Sequence, residues 1–356
     1  MFLYLKQNRP IMIEQKDEIQ EFSIDLIPED QDIKDIIFNL MADPNLAPIN
    51  YFNDFNEESI DVSVMSNEDT DETGIFISEN GQLMAMTTHA LHHHLDFDPQ
   101  QATEMLIARA VRKMICFGAV PEAVSSFLYH INIGDPNGQF IAAGAKKGLE
   151  NACSKFKIKL TDRKIRFDYF SAHGPVYPTI IISLMGSVPH KEKIVTHNFK
   201  NKGNNIFMIG NSYDDVNSSE YLEFFHEISE SGLPVFDIDL EVRMNVAMNR
   251  LIGEGLLTSA NPVGKGGLFF TLLRAGMPSG FGFDITSDAE VRKDAFLFGE
   301  AMGRIVVGVL PTKVDDFVDL MSSLKVPFFA LGHVTKGEIR IDDESFGYID
   351  KMTPSN

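Results

Sequence analysis

Apolar residues recur along the first part of the chain with two different periods. Residues 31–43 place apolar side chains three and four positions apart, which predicts an amphipathic helix that ends at Pro44. The runs at 74–78 and 82–88 have the residue types that are typical of strands. Glu79-Asn80-Gly81 lies between them, and an Asn-Gly pair in this position predicts the tight turn of a β-hairpin.

The chain continues to residue 186 as a mixture of strands and helices. A further strand is predicted at 59–65, and a long helix at 99–117 is stopped by Gly118. The elements that follow are predicted as a strand, a helix and two strands, at 123–134, 138–156, 165–172 and 179–186. Strands interrupted by two helices predict an α+β sheet that helices cover on one face.

A polar, charged stretch from Ser187 to Asn205 separates this region from a second one, and it predicts a domain junction. The second region alternates strands with helices, which predicts an α/β domain. Its strands are expected at 206–210, 281–286, 303–310, 327–333 and 338–342, and its helices at 218–230, 239–253, 268–275 and 313–324, with a loop at 259–267. The resulting division is an N-terminal extension (1–24), a first domain (25–188), a linker (189–204), a second domain (205–346) and a tail (347–356).

Length and charge restrict the kinds of partner. A chain of 356 residues exceeds the size at which one hydrophobic core usually keeps growing, which also favours two domains. The net charge of -20 disfavours nucleic acid and anionic membranes as partners, since both are bound through Lys and Arg.

Cys116 and Cys153 fall in apolar helical stretches, which suits a reducing compartment, so we predict a cytoplasmic protein. Residues 1–11 precede a more typical start at Met12, and we expect them to be dispensable.

Several segments resemble one known family in the same order along the chain. The matching segments are LMADPNLAP (40–48), LMAMTT (83–88), DFDP (96–99), FGAVPEAV (117–124), VYPTIIISLMG (176–186), GEGLLTSANPVGKGGLFFTLL (253–273) and LFGEAMGRIVVGV (297–309). They are similar to the second half of the large subunit of phosphoribosylformylglycinamidine synthase, in the aminoimidazole ribonucleotide synthase superfamily. The resemblance covers about residues 25–345 and implies a mixed-sheet domain that forms a barrel on dimerisation, followed by an α/β domain.

The resemblance also implies ATP and magnesium at the domain interface, held by carboxylates and amides. This chain departs from the family there. Thr87-Thr88-His89 replaces Thr-Thr-Asp, and Arg109 and Lys113 stand where relatives carry an acidic residue and an asparagine. Residues 166–169, Arg-Phe-Asp-Tyr, replace a Gly-Asn-Val-Ser loop, and Asn261-Pro262 replaces His-Asp. Since a cation in place of a metal ligand repels the metal, we expect binding of ATP or ADP and magnesium to be weakened or lost.

A glycine loop, residues 264–267, precedes a predicted helix. The backbone N–H groups of Gly264, Gly266 and Gly267, with Lys265 and the nearby Asn261, could bind a phosphate at the start of that helix. The spacing differs from that of a P-loop, however, and a tight turn that allows close helix packing explains the glycines equally simply. The pattern favours the tight turn over the phosphate site.

A histidine-rich segment gives a second candidate site. If the strand at 82–88 continues, His92, His94, Asp96 and Asp98 share one face near His89, and such nitrogen and oxygen ligands suit zinc or another transition metal. The alternative is an exposed polar strand end, or a histidine patch that fills the vacated nucleotide cleft. The spacing alone does not establish convergent ligands, so we favour the alternative and expect no transition metal.

Two charged residues near the end of the second region have a structural interpretation. Glu300 and Arg304 are four apart, so they either form an intrahelical pair or flank a helix-to-strand turn.

Three functions therefore stay open. The first is a purine-pathway relative of the synthase that is catalytically weakened or acts as a non-catalytic subunit or scaffold, as a homodimer or with a partner synthase subunit. The second is an active synthase that uses ATP and magnesium, and the third is a metal-binding protein that uses the histidines.

Overall fold

The computed structural model describes residues 22–29, 31–43, 45–46, 73–77, 81–167, 170–171, 174–229 and 231–352. The strand predicted at 59–65, the turn residues Glu79 and Asn80, and the dispensable start at 1–11 lie outside the described residues. Gly81, at the end of the predicted turn, has a φ of +80°, which glycine adopts without strain.

The first domain contains a mixed sheet with two long helices on one face. Its helices are α2 (Pro99–Cys116) and α3 (Pro136–Phe156). Its strands are β1 (Thr73–Ile77), β2 (Leu83–Leu91), β3 (Val120–Tyr129), β4 (Lys159–Ile165) and β7 (Thr179–Ser187), with a small separate pair, β5 (Phe170–Ser171) and β6 (Gly174–Pro175). Among the described residues the sheet order is β1-β2-β7-β3-β4, and only the β3–β4 pair is parallel. Within the described residues of one chain, the sheet is therefore open and does not close into a barrel.

Burial along β2 alternates, which shows that only one face of this sheet is covered. Ala85, Thr87 and His89 are buried, whereas Met86 is 41% exposed on the opposite face.

Helix α2 begins at a complete cap, because Asp98 Oδ1 accepts the N–H groups of Gln100 and Gln101.

The second domain is built on another mixed sheet. Its strands are β8 (Asn205–Ile209), β9 (Leu257–Pro262), β10 (Phe283–Ile285), β11 (Ile305–Val309), β12 (Phe328–Val334), β13 (Glu338–Ile341) and β14 (Glu344–Tyr348), in the order β14-β13-β10-β12-β8-β11-β9. Its helices are α4 (Ile238–Gly253), α5 (Gly267–Gly276), α6 (Lys293–Phe298) and α7 (Val314–Leu324). Helix α1 (Ile33–Leu40) packs here too, since its Ile36, Ile37 and Leu40 lie in one core cluster with residues of this sheet.

The two domains share a core. Helix α2 lies between the first sheet and α4, and buried residues of α2, α4, β11 and α7 belong to one cluster. Met105, Val111, Met244, Leu251 and Phe317 are examples from this cluster, and each is nearly or fully buried. A continuous apolar core of this kind favours a fixed relative position of the domains.

Several sequence predictions of secondary structure differ from the structure, among them the strand at 165–172, of which residue 165 belongs to β4 and Phe170–Ser171 to β5, with Arg166 and Phe167 outside any strand. The helix at 218–230 is a single turn, Tyr221–Phe225, because Ser218 and Glu227 have positive φ angles that a right-handed helix does not allow. The loop at 259–267 begins as strand β9, which pairs with β11 up to Pro262. Strand β4 was missed because it pairs with β3 alone among the described residues and carries charged side chains that hide the strand pattern.

Candidate functional site

The glycine loop, residues 264–267, turns the chain from β9 into helix α5. Gly266 and Gly267 have φ angles of +77° and +69°. A Cβ on Gly267 would lie 2.7 Å from the carbonyl oxygens of Leu297 and Gly299, at the end of α6. The loop therefore requires glycine for close backbone packing, as the tight-turn interpretation predicts.

Two hydrogen-bond donors of the loop are engaged by carboxylates, while Gly267 N donates to Gly264 O within the turn. Lys265 Nζ donates to Glu220 Oε1 at 2.6 Å, and Gly266 N donates to Glu300 Oε1 at 2.9 Å. Glu300 Oε1 also accepts the N–H of Glu220 at 2.9 Å, which joins these four residues in one network. Asn261 points elsewhere, because its Nδ2 donates to His197 O at 2.6 Å.

This arrangement does not fit a phosphate without rearrangement. A phosphate at the loop would have to displace Glu300 from Gly266 and Glu220 from Lys265, and both carboxylates would then repel it. Phosphate binding by Asn261, Gly264, Lys265, Gly266 and Gly267 stays a prediction.

Two acids at this site, Glu300 of the network and Asp43 beside Glu220, have a raised pKa. Burial raises the pKa of Glu300 to about 7, against the two backbone N–H groups that favour its charged form. Burial also raises the pKa of Asp43 to about 6, where the neighbouring Glu220 adds to the effect and Asn45 N–H opposes it. Sequence reasoning did not single out Asp43 or Glu220, because their proximity to the loop depends on tertiary contacts between segments that are distant along the chain.

The raised pKa of Glu300 predicts a pH dependence of stability. The folded state keeps the proton at a pH where the unfolded chain loses it, so the stabilisation present below about pH 4.5 is lost as the pH rises through about 7. Glu300→Gln keeps an oxygen acceptor and does not titrate. We expect the difference in free energy of unfolding between the native chain and E300Q to change by on the order of 1–3 kcal/mol between pH 4.5 and 8, in urea titrations. A pH-independent difference would contradict this assignment.

A buried ion pair joins the two domains. Arg112 of α2 and Glu241 of α4 lie 2.5 Å apart, and their side chains are 2% and 3% exposed. Arg112 Nη2 also lies 3.4 Å from Met302 Sδ. Burial raises the pKa of Glu241, whereas Arg112, the N–H of Gly303 and the charge of Arg109 oppose that rise.

Helix α2 thus directs cations towards carboxylates of the second domain. The positive charge of Arg109 opposes the rise in the pKa of both Glu241 and Glu300. Arg109 is therefore close to the interdomain contact, where the resemblance implies metal ligands. Lys113, the other cation expected there, is half-buried on the same helix. Arg112 was not singled out from the sequence, although its position three residues after Arg109 puts it on a neighbouring helix face.

Glu300 and Arg304 do not form an intrahelical pair, because α6 ends at Phe298 before either residue. Arg304 is buried and donates instead to Gly299 O at 2.5 Å and Ala301 O at 3.1 Å. The alternative prediction, that the two residues flank the turn between helix and strand, is confirmed. Arg304 fixes the turn that holds Glu300 against the glycine loop.

The histidine segment does not continue as a strand. Strand β2 ends at Leu91, and His93–Asp96 forms a 3-10 turn, so His92, His94, Asp96 and Asp98 cannot share a strand face. His89 Nε2 lies 2.9 Å from Thr87 Oγ1, and Asp96 accepts from Asn137 Nδ2 at 3.2 Å. Within the described part of the chain, no three His, Cys, Asp or Glu side chains are grouped so that they could hold a metal ion.

Comparisons with known proteins agree with this two-domain fold. The sequence model described as AIR synthase related protein, N-terminal domain, matches residues 70–188, and the model of the corresponding C-terminal domain matches residues 201–343. The chain belongs to the AIR synthase-related family. The family's fold, with two domains of mixed sheets and helices, is thereby confirmed.

Relatives of the AIR synthase-related chain include phosphoribosylformylglycinamidine synthase subunits PurL. The subunit of Moorella thermoacetica is 26% identical over 307 residues, which is 85% of this chain and 42% of the relative. That of Alkaliphilus metalliredigens is 24% identical over 94% of this chain and 46% of the relative. The chain thus spans about half the length of the curated relatives that it matches.

Solved structures show the same fold. The chain matches Thermotoga maritima PurL complexed with FGAR with a TM-score of 0.72 and 13% identity, over 92% of this chain and 54% of that one. It matches AaThiL complexed with AMPPCP and TMP with a TM-score of 0.55 and 14% identity, over 80% of this chain and 93% of that one. Within the described residues, no helix has the length and apolar character needed to cross a membrane.

Proposed function

We propose that this chain is a PurL-related protein of purine biosynthesis that does not itself carry out the ATP-dependent reaction, and that it acts as a non-catalytic subunit or scaffold. One observation carries the proposal. Helix α2 pairs Arg112 with Glu241 at the interdomain contact, and the positive charge of Arg109 on the same helix influences both Glu241 and Glu300, in the region where the family resemblance implies magnesium and phosphates.

The chemistry of these residues supports the proposal. Magnesium binds oxygen ligands in octahedral geometry, and a guanidinium offers donors only and stays charged. Glu241, which could supply oxygens, is already paired with Arg112 and buried. His89 replaces a further oxygen ligand of the family, and its ring contacts Thr87. A nucleotide with its magnesium would have to separate these pairs in order to bind here.

Catalytic activity provides the test. With formylglycinamide ribonucleotide, ammonia, ATP and magnesium, we expect ADP release at the background rate, and an ATP affinity that magnesium leaves unchanged in calorimetric titrations. A PurL subunit such as that of M. thermoacetica serves as the control enzyme. Magnesium-dependent turnover by this chain would overturn the proposal in favour of an active synthase, the activity suggested by the name of its PurL relatives.

We also propose that a second copy covers the outward face of the first sheet and completes a barrel. Met86 of β2 and Met185 of β7 are paired across the sheet, and they are 41% and 38% exposed on that face. An apolar face of this kind is usually covered in a stable protein. A partner subunit is the alternative, since one structure that the chain resembles is that of PurLQS from T. maritima. A cytoplasmic location stays a prediction.

A further inference from the structure

Two acidic side chains meet where the turn after helix α1 packs against the glycine loop. Asp43 lies in that turn, and Glu220 directly precedes the single helical turn Tyr221–Phe225. Asn45 joins them, since its N–H donates to Asp43 Oδ1 at 2.8 Å and its Nδ2 donates to Glu220 Oε2 at 3.2 Å. Asp43 is 1% exposed and Glu220 is 7% exposed, so water does not separate the two carboxyl groups.

One oxygen of Asp43 has no hydrogen-bond donor in the part of the chain that the structure describes. Asp43 Oδ2 is buried and accepts no N–H or O–H group there. The Asp43 side chain is instead within hydrogen-bonding reach of the Glu220 carboxylate, which already accepts Lys265 Nζ and Asn45 Nδ2. Two ionised carboxylates would repel each other at this contact. A proton on Asp43 Oδ2 turns the repulsion into a charge-assisted O–H···O hydrogen bond.

The charged groups around the pair place this proton on Asp43. Burial raises the pKa of Asp43 to about 6, and the neighbouring Glu220 adds to that rise. Burial acts in the same direction on Glu220, but the hydrogen bond from Lys265 outweighs it and lowers the pKa of Glu220. Behind these groups, Glu300 accepts the N–H of Glu220, and Arg274 donates to the carbonyl oxygen of Lys265 at 2.7 Å.

The turn after α1 covers the glycine loop. Leu46 packs so closely over Gly266 that a Cβ on this glycine would lie 2.8 Å from Leu46 Cδ2. The segment before α1 is held separately, since Arg292 donates to the carbonyl oxygens of Ile24 and Pro28 at 2.8 and 3.3 Å. Separation of the acidic pair would therefore free the turn while the start of the helix stays attached.

We propose that Asp43 and Glu220 share one proton and form a pH-sensitive latch, which holds the turn after α1 over the glycine loop and releases the turn when the proton is lost. The closed turn keeps the proton at a pH where an open turn loses it. The stabilisation is therefore complete below about pH 4 and is lost as the pH rises through about 6. Opening exposes Lys265 and Gly266, so access to the glycine loop depends on pH. The latch is independent of the proposed non-catalytic function.

Hydrogen exchange of the full chain at pH 5 and pH 8, measured by mass spectrometry, tests the latch. Relative to the intrinsic rates of an unstructured chain, we expect exchange of the hydrogen-bonded amides at residues 41–43, 45 and 46 to rise roughly tenfold, given a pKa of about 6 in the closed turn and 3.8 in an open one. Asp43→Asn keeps an acceptor for Asn45 and offers an N–H to Glu220, so it should keep the turn closed at both pH values. Glu300 titrates in both chains, so the ratio of their rates isolates Asp43. Asp35→Asn, an exposed position on α1, is the matched control and should behave as the native chain does.

Glu220→Gln separates proton sharing from burial alone. In this background the pH-dependent change that Asp43→Asn removes should fall from about tenfold to about fourfold, as expected when a like charge contributes about half of a pKa unit. An unchanged tenfold effect would show that Asp43 titrates without Glu220 and would overturn the shared proton. Equal pH dependence in the native chain and Asp43→Asn would overturn the latch. An equal rise of exchange in α7 of the native chain would also overturn it, because the whole chain would then be unfolding.

Discussion

Arg112→Met is expected to lower the free energy of unfolding by about 3–5 kcal/mol, because it leaves Glu241 charged and unpaired between the two domains. Glu241 is 3% exposed, so water cannot replace the guanidinium. Glu241 also accepts the N–H of Gly303, which does not neutralise a carboxylate. Urea denaturation at neutral pH measures the effect.

The double variant Arg112→Met/Glu241→Leu is the matched control. It removes both charges and keeps side chains of comparable size, so the loss should be much smaller than the sum of the two single losses. Removing Arg112 should also relieve its repulsion of Arg304, because burial, together with the nearby charge of Arg112, lowers the pKa of Arg304 to about 10. Additive losses in the double-mutant cycle would show that the two side chains are not paired.

Gly210→Ala is expected to destabilise the chain by roughly 3 kcal/mol or more. Gly210 follows β8 with a φ of +108°, and an added Cβ would lie 1.9 Å from Gly303 O and 3.2 Å from Arg304 Cα. These are backbone atoms of the turn that holds Glu300, so they cannot move aside as a flexible side chain could. The turn would have to shift away from the glycine loop.

Gly203→Ala separates steric overlap from backbone strain. Gly203 also has a positive φ, +82°, but no atom lies within 4 Å of an added Cβ. Alanine there should cost only about 1 kcal/mol, the cost of the left-handed conformation. Equal losses for the two variants in urea denaturation would mean that the contact with Gly303 is unimportant.

The sequence predicted the first domain well because its elements have strong local signals. Helices α2 and α3 and strand β7 have clear periodicity, and they lie within a few residues of their predicted bounds. Strand β4 lacks such a signal, since four of its seven residues are charged and do not alternate with apolar ones, and its pairing with β3 supplies its stability. In the histidine segment, by contrast, the sequence predicted a strand that does not form. Its spacing suited a strand face, but the chain turns after Leu91, and no local pattern marks that turn.

The glycine loop shows why a site is harder to predict than its elements. Its spacing correctly indicated a tight turn before a helix. The partners of its donors are distant in sequence: Glu300 is 34 residues from Gly266, and Glu220 is 45 residues from Lys265. Their proximity follows from the order of strands in the second sheet and from the end of α6. Such contacts are a property of the topology, and the sequence of the loop does not contain them.

The position of helix α1 has a consequence for how the chain folds as it is made. Residues 33–40 join the core of the second domain, whereas the first sheet lies between them and that domain along the chain. The first domain is therefore an insertion within the second. During synthesis, the first domain would therefore leave the ribosome before the strands that cover the apolar face of α1. Those strands begin more than 160 residues after the end of that helix, and its apolar face stays uncovered until they are made.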